Sequence, residues 1–350
     1  MCQTFQLRLP DLRAALVTVA VLALYSASAP AQSVSVPPER WLLAYAGSSS
    51  ATHYEEDDFE RLLGRGSGCS SPLFTGFIFL SLQWRPTNRW FASWLAPNIR
   101  GPAATGEDWQ AYADSLVAPT GVIARLDRAL TRTFPKAQAQ VAVMVPYLGG
   151  DSPSLTIRGK AYGLGPDAQN NPASLYRDWF EFLNSGVRAL KLRSVRLTGA
   201  YWLNEGLLPG DSARIALAAA AARGADIRLL WIPSYRARGA GIWRELGFSE
   251  AWYQPNVFFD THTKTTQMDS AAEFAVTHGL GLELEFDRRL LRDTAYATRL
   301  DPYLDLLTRV QFRSVAVYDG AGALLDLFKS EAPTAKETSR RFLKALCPAP

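Results

Sequence analysis

Three acidic side chains at every second position are the residues of this chain whose spacing best suits joint chemistry. Within residues 279–287, the acids Glu283, Glu285 and Asp287 alternate with apolar residues, so a β-strand would put all three on one face. Helical patterns flank this stretch, which predicts a parallel strand with both faces covered. Because an unpaired buried charge is costly, such a row is expected mainly where it lines a polar site or the open end of a barrel.

A second acidic candidate closes another apolar run, where Asn204 and Glu205 follow residues 195–203. Glycoside hydrolysis needs one carboxyl group to protonate the leaving oxygen and one carboxylate to attack the anomeric carbon or activate water. We therefore interpret Glu205 as the general acid/base and Glu285 as the nucleophile. Glu283 is the rival for the second role, but Glu285 lies nearer the C-terminal end of its strand, where a substrate would sit.

Both roles have structural alternatives and an electrostatic consequence. Glu205 could instead be a charge at a helix N-terminus, and Glu283 a buried partner of a barrel arginine such as Arg228. In the catalytic interpretation, partial desolvation and nearby negative charge raise the pKa of Glu205, while Glu285 stays ionised, giving a bell-shaped rate profile in the mildly acidic range. An ionised Glu285 needs a compensating cation. The candidates are Arg158, Arg228 and Arg236.

Aromatic and amide side chains recur where the apolar runs end. Aromatic rings stack on the apolar faces of sugars, and amides fix hydroxyl groups. The residues expected to bind a carbohydrate are Asn204, Trp84, Tyr147, Trp202, Trp231, Tyr235, Gln254, Asn256, Asp287 and Asp319. A serine-nucleophile elbow is not indicated, because residues 66–68 lack its flanking spacing. The three histidines form no i,i+4 pair, so we expect no metal and no cofactor.

Eight short apolar runs, each followed by a helical pattern or a long loop, provide the elements that must position these side chains. The runs are residues 41–46, 76–84, 140–147, 195–203, 226–232, 251–259, 279–287 and 314–318. Their number, and the about 320 residues that would remain of the 350 after removal of an N-terminal signal peptide, predict an α/β fold, a single-domain (β/α)8 TIM barrel. Periodicity also allows an open doubly wound sheet, but no Gly-x-Gly-x-x-Gly follows an early run. An extended loop and helical insertion, about residues 85–135, is expected to shape the mouth of the site.

The first 31 residues have the pattern of a signal peptide. Arg8 and Arg13 precede an apolar run over residues 14–24, and small residues at 29–31 suit cleavage before residue 32. The barrel domain is therefore expected to span residues 32–350, without a membrane span in the mature chain, and to be exported to the periplasm or the extracellular space. Cys69 and Cys347 then predict a disulfide, with two free thiols as the alternative.

The charge pattern favours a small soluble ligand. The formal charge of +4 is nearly balanced, and no basic block indicates nucleic acid. An oligosaccharide or polysaccharide is the expected ligand, and the chain could act on it as a glycosidase or bind it as a barrel without catalytic turnover.

Two resemblances carry these expectations further. The Asn204-Glu205 pair after the fourth run, with Glu283 or Glu285 on the seventh, resembles the TIM-barrel superfamily of retaining glycosidases. That resemblance implies an acid/base at the first position and a nucleophile at the second. Several strand-end motifs in the same order resemble domain of unknown function 4855, found in bacterial secreted proteins: residues 201–205, 230–235, 243–248, 254–256 and 282–287. Ser234 stands where that family often has an aromatic residue, so one wall of the cleft is expected to differ.

Overall fold

Twelve short strands lie in the part of the chain that the structure describes. The computed structural model describes residues 39–46, 54–91, 101–147, 154–163, 170–320 and 322–347, so the predicted signal peptide lies outside the described residues. The strands are β1 (Glu39–Tyr45), β2 (Gly76–Leu80), β3 (Gln83–Trp84), β4 (Arg89–Trp90), β5 (Ala139–Met144), β6 (Ser154–Ile157), β7 (Lys160–Gly163), β8 (Val195–Trp202), β9 (Arg228–Trp231), β10 (Glu250–Tyr253), β11 (Gly281–Glu285) and β12 (Ser314–Tyr318).

Ten α-helices are described with them. They are α1 (Glu56–Leu62), α2 (Gly106–Leu116), α3 (Val122–Thr133), α4 (Pro172–Ala189), α5 (Asp211–Gly224), α6 (Trp243–Leu246), α7 (Thr266–His278), α8 (Thr294–Arg309), α9 (Ala323–Lys329) and α10 (Pro333–Leu346). No helix among the described residues is long and apolar enough to cross a membrane.

Eight of the strands close into a parallel barrel. Their order around it is β1, β12, β11, β10, β9, β8, β5 and β2, each paired with the next. The TIM-barrel prediction is therefore confirmed, and the open sheet is excluded because β1 pairs with both β2 and β12. In a barrel of this type the carboxyl ends of the strands meet at one rim, where βα loops build the site.

Two antiparallel hairpins lie outside the barrel. The second apolar run was predicted to reach Trp84, but β2 ends at Leu80 and Trp84 belongs to the hairpin β3–β4. The segment after β5 contains the hairpin β6–β7. Its turn residues Arg158 and Gly159 both have positive φ, 54° and 74°, which suits a tight two-residue hairpin turn.

Large side chains fill the N-terminal end of the barrel. The rings of Trp41 and Trp252 pack with their centroids 5.7 Å apart. Gly76 and Gly281 make room for them, because a Cβ at either position would come within 2.3 Å of a tryptophan ring atom. This end of the barrel is a packed core, so a ligand is expected only at the opposite rim.

A disulfide closes the outer layer. Cys69, in the loop after α1, bonds Cys347, at the end of α10, with the Cα atoms 5.5 Å apart. The disulfide prediction is confirmed. The bond ties the first helix of the barrel to the last, across a sequence separation of 278 residues.

We expect Cys347→Ser to lower the free energy of unfolding by about 2–5 kcal/mol without changing the fold, because the unfolded chain regains the freedom that the cross-link removes. Urea unfolding monitored by circular dichroism measures the loss. Wild-type protein unfolded under reducing conditions is the control, and its midpoint should fall to that of the variant. A variant as stable as the oxidised wild type would contradict this expectation.

Candidate active site

Glu283 and Glu285 point into the barrel from β11. Alternation along the strand puts Leu282 and Leu284 towards the helices and the two glutamates inside, level with Ala316 and Tyr318 on the neighbouring strand β12. Both carboxyl groups are buried, Glu283 completely and Glu285 with 2% exposure. Glu285 lies at the carboxyl end of the strand, while Glu283 lies one layer deeper.

Two donors hold Glu285 in place. The backbone N–H of Asn256 donates to its Oε2 at 2.7 Å, and the hydroxyl of Tyr303 donates to the same oxygen at 2.9 Å. Asn256 has a left-handed backbone with φ of 51°. Tyr303 lies on α8 and was missed by the sequence analysis, which considered only strand ends. These bonds fix the carboxylate of Glu285 in one orientation at the mouth of the barrel.

Glu205 follows β8 and is partly exposed. Its peptide is anchored on both sides, because the indole N–H of Trp231 donates to the carbonyl of Asn204 at 2.5 Å, and the N–H of Ser234 donates to the carbonyl of Glu205 at 3.0 Å. Burial raises the pKa of the Glu205 carboxyl group, and a hydrogen bond from the side chain of Gln254 lowers it by a smaller amount. The direction is the one expected for Glu205, but burial alone raises the pKa, without the expected contribution from nearby negative charge.

Glu283 has no charge partner among the described residues. Both of its oxygens are buried without a hydrogen-bond partner of normal geometry, although the Gln254 amide is near enough to lower its pKa slightly. Burial first, and then the charges of Glu285 and Glu205, raise the pKa of Glu283 well above its ordinary value. The three carboxyl groups are therefore close enough to repel one another.

The expected compensating cation does not come from the three predicted arginines. Arg158 pairs with Asp114 on the outside of the barrel. Arg236 lies over the Tyr235 ring, 5.2 Å from its centroid. Neither pairs with a glutamate of the site.

Arg228 also bonds to residues outside the candidate site. It donates to Glu39 at 3.3 Å and to Gln140 at 2.6 Å, at the N-terminal end of the barrel. The alternative that Arg228 is the buried partner of Glu283 is therefore wrong. No cation holds Glu285 ionised among the described residues, and burial raises its pKa to about 8 despite the hydrogen bonds from Tyr303 and Asn256, so at neutral pH the group is ionised only in part.

Tyrosine hydroxyls surround the carboxyl groups. Tyr45 donates to Tyr318 at 3.3 Å across the closure of the barrel between β1 and β12. Burial raises the pKa of Tyr45, Tyr201 and Tyr318, and the charge of Glu205 adds to each shift. These phenols stay neutral and present polar groups to whatever occupies the mouth.

Trp202 and Trp231 lie in the packed layer between barrel and helices. Both are essentially unexposed, at 1% and 0%. Trp231 stacks on Phe248 with centroids 4.8 Å apart, and Trp202 packs edge-on against Tyr147 at 5.7 Å. The two indoles therefore support the strand ends from behind, where a ligand cannot reach them, instead of lining a subsite as we expected.

Asp211 organises the loop beside Glu205 and was missed as a site residue. Its buried carboxylate accepts hydrogen bonds from Tyr147 at 2.9 Å, Asn204 at 3.1 Å and the backbone N–H of Leu208 at 2.9 Å. Asp211 is the first residue of α5 and directly follows Gly210. Asn204 thus orients the loop through Asp211, and its Oδ1 is buried without a hydrogen-bond partner among the described residues.

The remaining predicted site residues are spread around the rim. Trp84 packs against Phe91 and Tyr112 in the insertion after β2. Asp287 forms an ion pair with Arg289. Tyr235 lies beside Tyr253, with ring centroids 6.0 Å apart.

Asp319 has a structural role. It is fully buried and accepts hydrogen bonds from the hydroxyl of Tyr54 at 2.8 Å and the backbone N–H of Gly322 at 2.8 Å. Burial raises its pKa to about 6. The structure thus brings Glu205, Gln254 and Glu285 together at the mouth, with Glu283 one layer below them. Trp84, Asp287 and Asp319 make their contacts elsewhere.

Residues 40–344 match the family model described as Domain of unknown function (DUF4855). No curated protein matches the chain. Among solved structures, the chain is similar to the tryptophan synthase alpha-subunit from the hyperthermophile Pyrococcus furiosus. One structure of that subunit is 9% identical with a TM-score of 0.41, covering 88% of this chain and 97% of that chain. A mutant form is 8% identical with a TM-score of 0.40 and the same coverage. Likeness at this level says nothing about activity.

Proposed function

We propose that this chain, which belongs to the family of the domain of unknown function DUF4855, is a glycoside hydrolase with Glu205 as general acid/base and Glu285 as nucleophile. The observation that carries the proposal is the contrast between two carboxyl groups at one barrel mouth. Both groups have a raised pKa, but Glu285 is buried and fixed by two donors, whereas Glu205 is partly exposed. A fixed carboxylate suits attack, and a protonated carboxyl group beside solvent suits proton transfer.

In the proposed reaction, Glu205 gives its proton to the glycosidic oxygen as the bond to the anomeric carbon breaks. The ionised Glu285 carboxylate attacks that carbon and forms a glycosyl ester. Glu205, now a carboxylate, takes a proton from water, whose oxygen displaces Glu285 and restores both groups. Glu283 is less suited to attack, because its carboxyl group is completely enclosed one layer below.

The test is release of new reducing ends from a panel of oligosaccharides and polysaccharides by the mature chain. Cleavage of a panel member by wild type supports the proposal. Binding of a glycan with no product, at any pH from about 5 to 9, would contradict it.

That contrary result would favour the second candidate, a carbohydrate-binding barrel without turnover. The observation in its favour is the pKa of Glu285, raised to about 8, because a protonated carboxyl group is not a nucleophile. If the chain is instead an enzyme, the same shift moves the acidic limb of kcat/KM into the neutral range, above the mildly acidic range expected from the sequence.

Tyr303→Phe is expected to shift that acidic limb upward by about 1–2 pH units. The Tyr303 hydroxyl donates to Glu285 at 2.9 Å and lowers its pKa, so its removal makes ionisation harder. The pH dependence of kcat/KM measures the shift, which a merely structural role for Tyr303 would not produce. Tyr176→Phe is the matched control, because the Tyr176 hydroxyl is buried without a hydrogen-bond partner among the described residues. An unshifted limb in Tyr303→Phe would contradict the assignment of Glu285.

A further inference from the structure

We propose that the substrate of this site is a cationic glycan, one whose sugars carry protonated amino groups. This inference rests on the proposed function for the location of the site, and it adds the substrate class. The observation behind it is an uncompensated cluster of Glu205, Glu283 and Glu285. No lysine, arginine or histidine of the described residues forms an ion pair with any of the three.

Glu283 is unusual among the buried acids of this chain. Asp127 accepts three backbone N–H groups from residues 193–195, and Glu60 pairs with Arg65 and Arg132. Asp319 and Asp211 accept hydrogen bonds as described above, and Glu250 accepts one from Ser314 at 2.5 Å. Among the buried acids of the described residues, only Glu283 has two oxygens that lack both an ion pair and a hydrogen bond of normal geometry. The fold satisfies buried carboxylates elsewhere and leaves this one unsatisfied in the candidate cleft.

An ammonium group supplies what the cluster lacks. It carries one positive charge and three N–H donors on a compact centre, whereas a neutral hydroxyl supplies one donor and no charge. Glu205 is partly exposed at the mouth, Glu285 lies at the carboxyl end of its strand, and Glu283 attracts the same charge from one layer below. Bound metal is a weaker match, because no three His, Cys, Asp or Glu side chains of the described residues are arranged to hold a metal ion.

The other groups facing the cluster suit a sugar. The Gln254 amide lies next to Glu205 and Glu283. The hydroxyls of Tyr45, Tyr201, Tyr303 and Tyr318 approach from β1, β8, α8 and β12, and burial raises the pKa of each. Since these phenols stay neutral, the three glutamates are the groups that titrate when a cation binds. Ammonium binding favours their ionised forms, so binding should release protons to the solvent.

Isothermal titration of the mature Glu205→Gln protein tests the proposal, because that variant should bind while cleaving at least about a hundredfold more slowly than wild type. The probes are short oligomers of glucosamine or galactosamine and their N-acetylated counterparts, which differ in charge, at about pH 6, where sugar amines are protonated. We expect the amine forms to bind at least about tenfold more tightly. Titration in two buffers of different ionisation enthalpy should show proton release for the amine forms alone.

The contribution of Glu283 is isolated by a second pair of variants. In the Glu205→Gln background, Glu283→Gln should reduce the preference for the amine form by about tenfold. Glu250→Gln in the same background should leave it unchanged, because Glu250 is a buried glutamate near the other end of the barrel. Equal binding of charged and N-acetylated oligomers, or binding of neither, overturns the inference.

Failure of the inference and failure of the proposed function give different results. Wild-type cleavage of a neutral glycan, with no preference for amines, would leave the hydrolase assignment standing and remove the cationic substrate. Preferential binding of amines without any cleavage by wild type would leave the cationic ligand standing and remove the hydrolase assignment.

Discussion

Glu285→Gln is expected to abolish glycan hydrolysis while the protein stays folded. An uncharged amide cannot attack the anomeric carbon, so no glycosyl ester forms. The amide can still accept hydrogen bonds from Tyr303 and the Asn256 backbone, which preserves the local structure. Release of reducing ends by wild type and variant, at the pH optimum of wild type, measures the loss. Circular dichroism confirms the fold.

Glu205→Gln is the companion variant, with an expected loss of about 10²–10⁴-fold from removal of the proton donor. It should also remove the alkaline limb of the kcat/KM profile, which depends on the proton of Glu205. Glu250→Gln is the matched control for an inward-facing buried glutamate away from the mouth, and its activity should equal that of wild type. Full activity in both Glu205→Gln and Glu285→Gln would eliminate the proposed mechanism.

The barrel could be predicted from sequence because its signals are local and repeated. The eighth run was predicted over residues 314–318, which are the bounds of β12. Apolar runs that are buried on both faces and separated by amphipathic helices allow few other architectures. The hairpin β6–β7 escaped prediction because each of its strands has only four residues, too few for a clear alternation.

The site was predictable only in part, because strand periodicity gives the face of a residue but not the partners from other elements. Alternation placed Glu283 and Glu285 together, and the chain order placed Glu205 at the same rim. Neither pattern predicted the contact of Tyr303, which donates a hydrogen bond to Glu285 from helix α8. Trp231 was assigned to a subsite because it lies at a strand end. Side chains alternate between the two faces of a strand, however, and this alternation turns the Trp231 ring outward against Phe248.

The charge balance of the site could not be read from sequence. Arginine candidates were chosen by composition, and Arg228 proved to lie at the opposite end of the barrel with Glu39. Without a cation, burial controls the protonation of Glu285, whose pKa is raised to about 8. The sequence shows which carboxyl groups converge, whereas only the three-dimensional arrangement shows that they converge uncompensated.

Glu283→Gln is expected to stabilise the folded protein at neutral and alkaline pH. A carboxyl group whose folded pKa is raised binds its proton more tightly in the folded state than in the unfolded state. The stability linked to that proton is fully present below the unfolded pKa of about 4.3 and is lost as the pH rises through the folded pKa. Glutamine does not titrate, so the variant avoids this loss, which is about 1.4 kcal/mol for each unit of raised pKa.

Melting temperatures from about pH 4 to pH 9 measure the effect of Glu283→Gln. The variant and wild type should melt together at the acidic end, and the variant should melt higher as the pH rises, by roughly 2–4 °C for each kcal/mol. Glu250→Gln is the control, and its change in stability should have the opposite sign. The Glu250 carboxylate accepts a hydrogen bond from Ser314 and lies 3.7 Å from Arg313, so its replacement removes favourable contacts. The control variant should lose stability at neutral pH. A Glu283→Gln protein that melts below wild type at pH 8 would show that the Glu283 carboxylate has a compensating partner, which would also remove the basis for a cationic substrate.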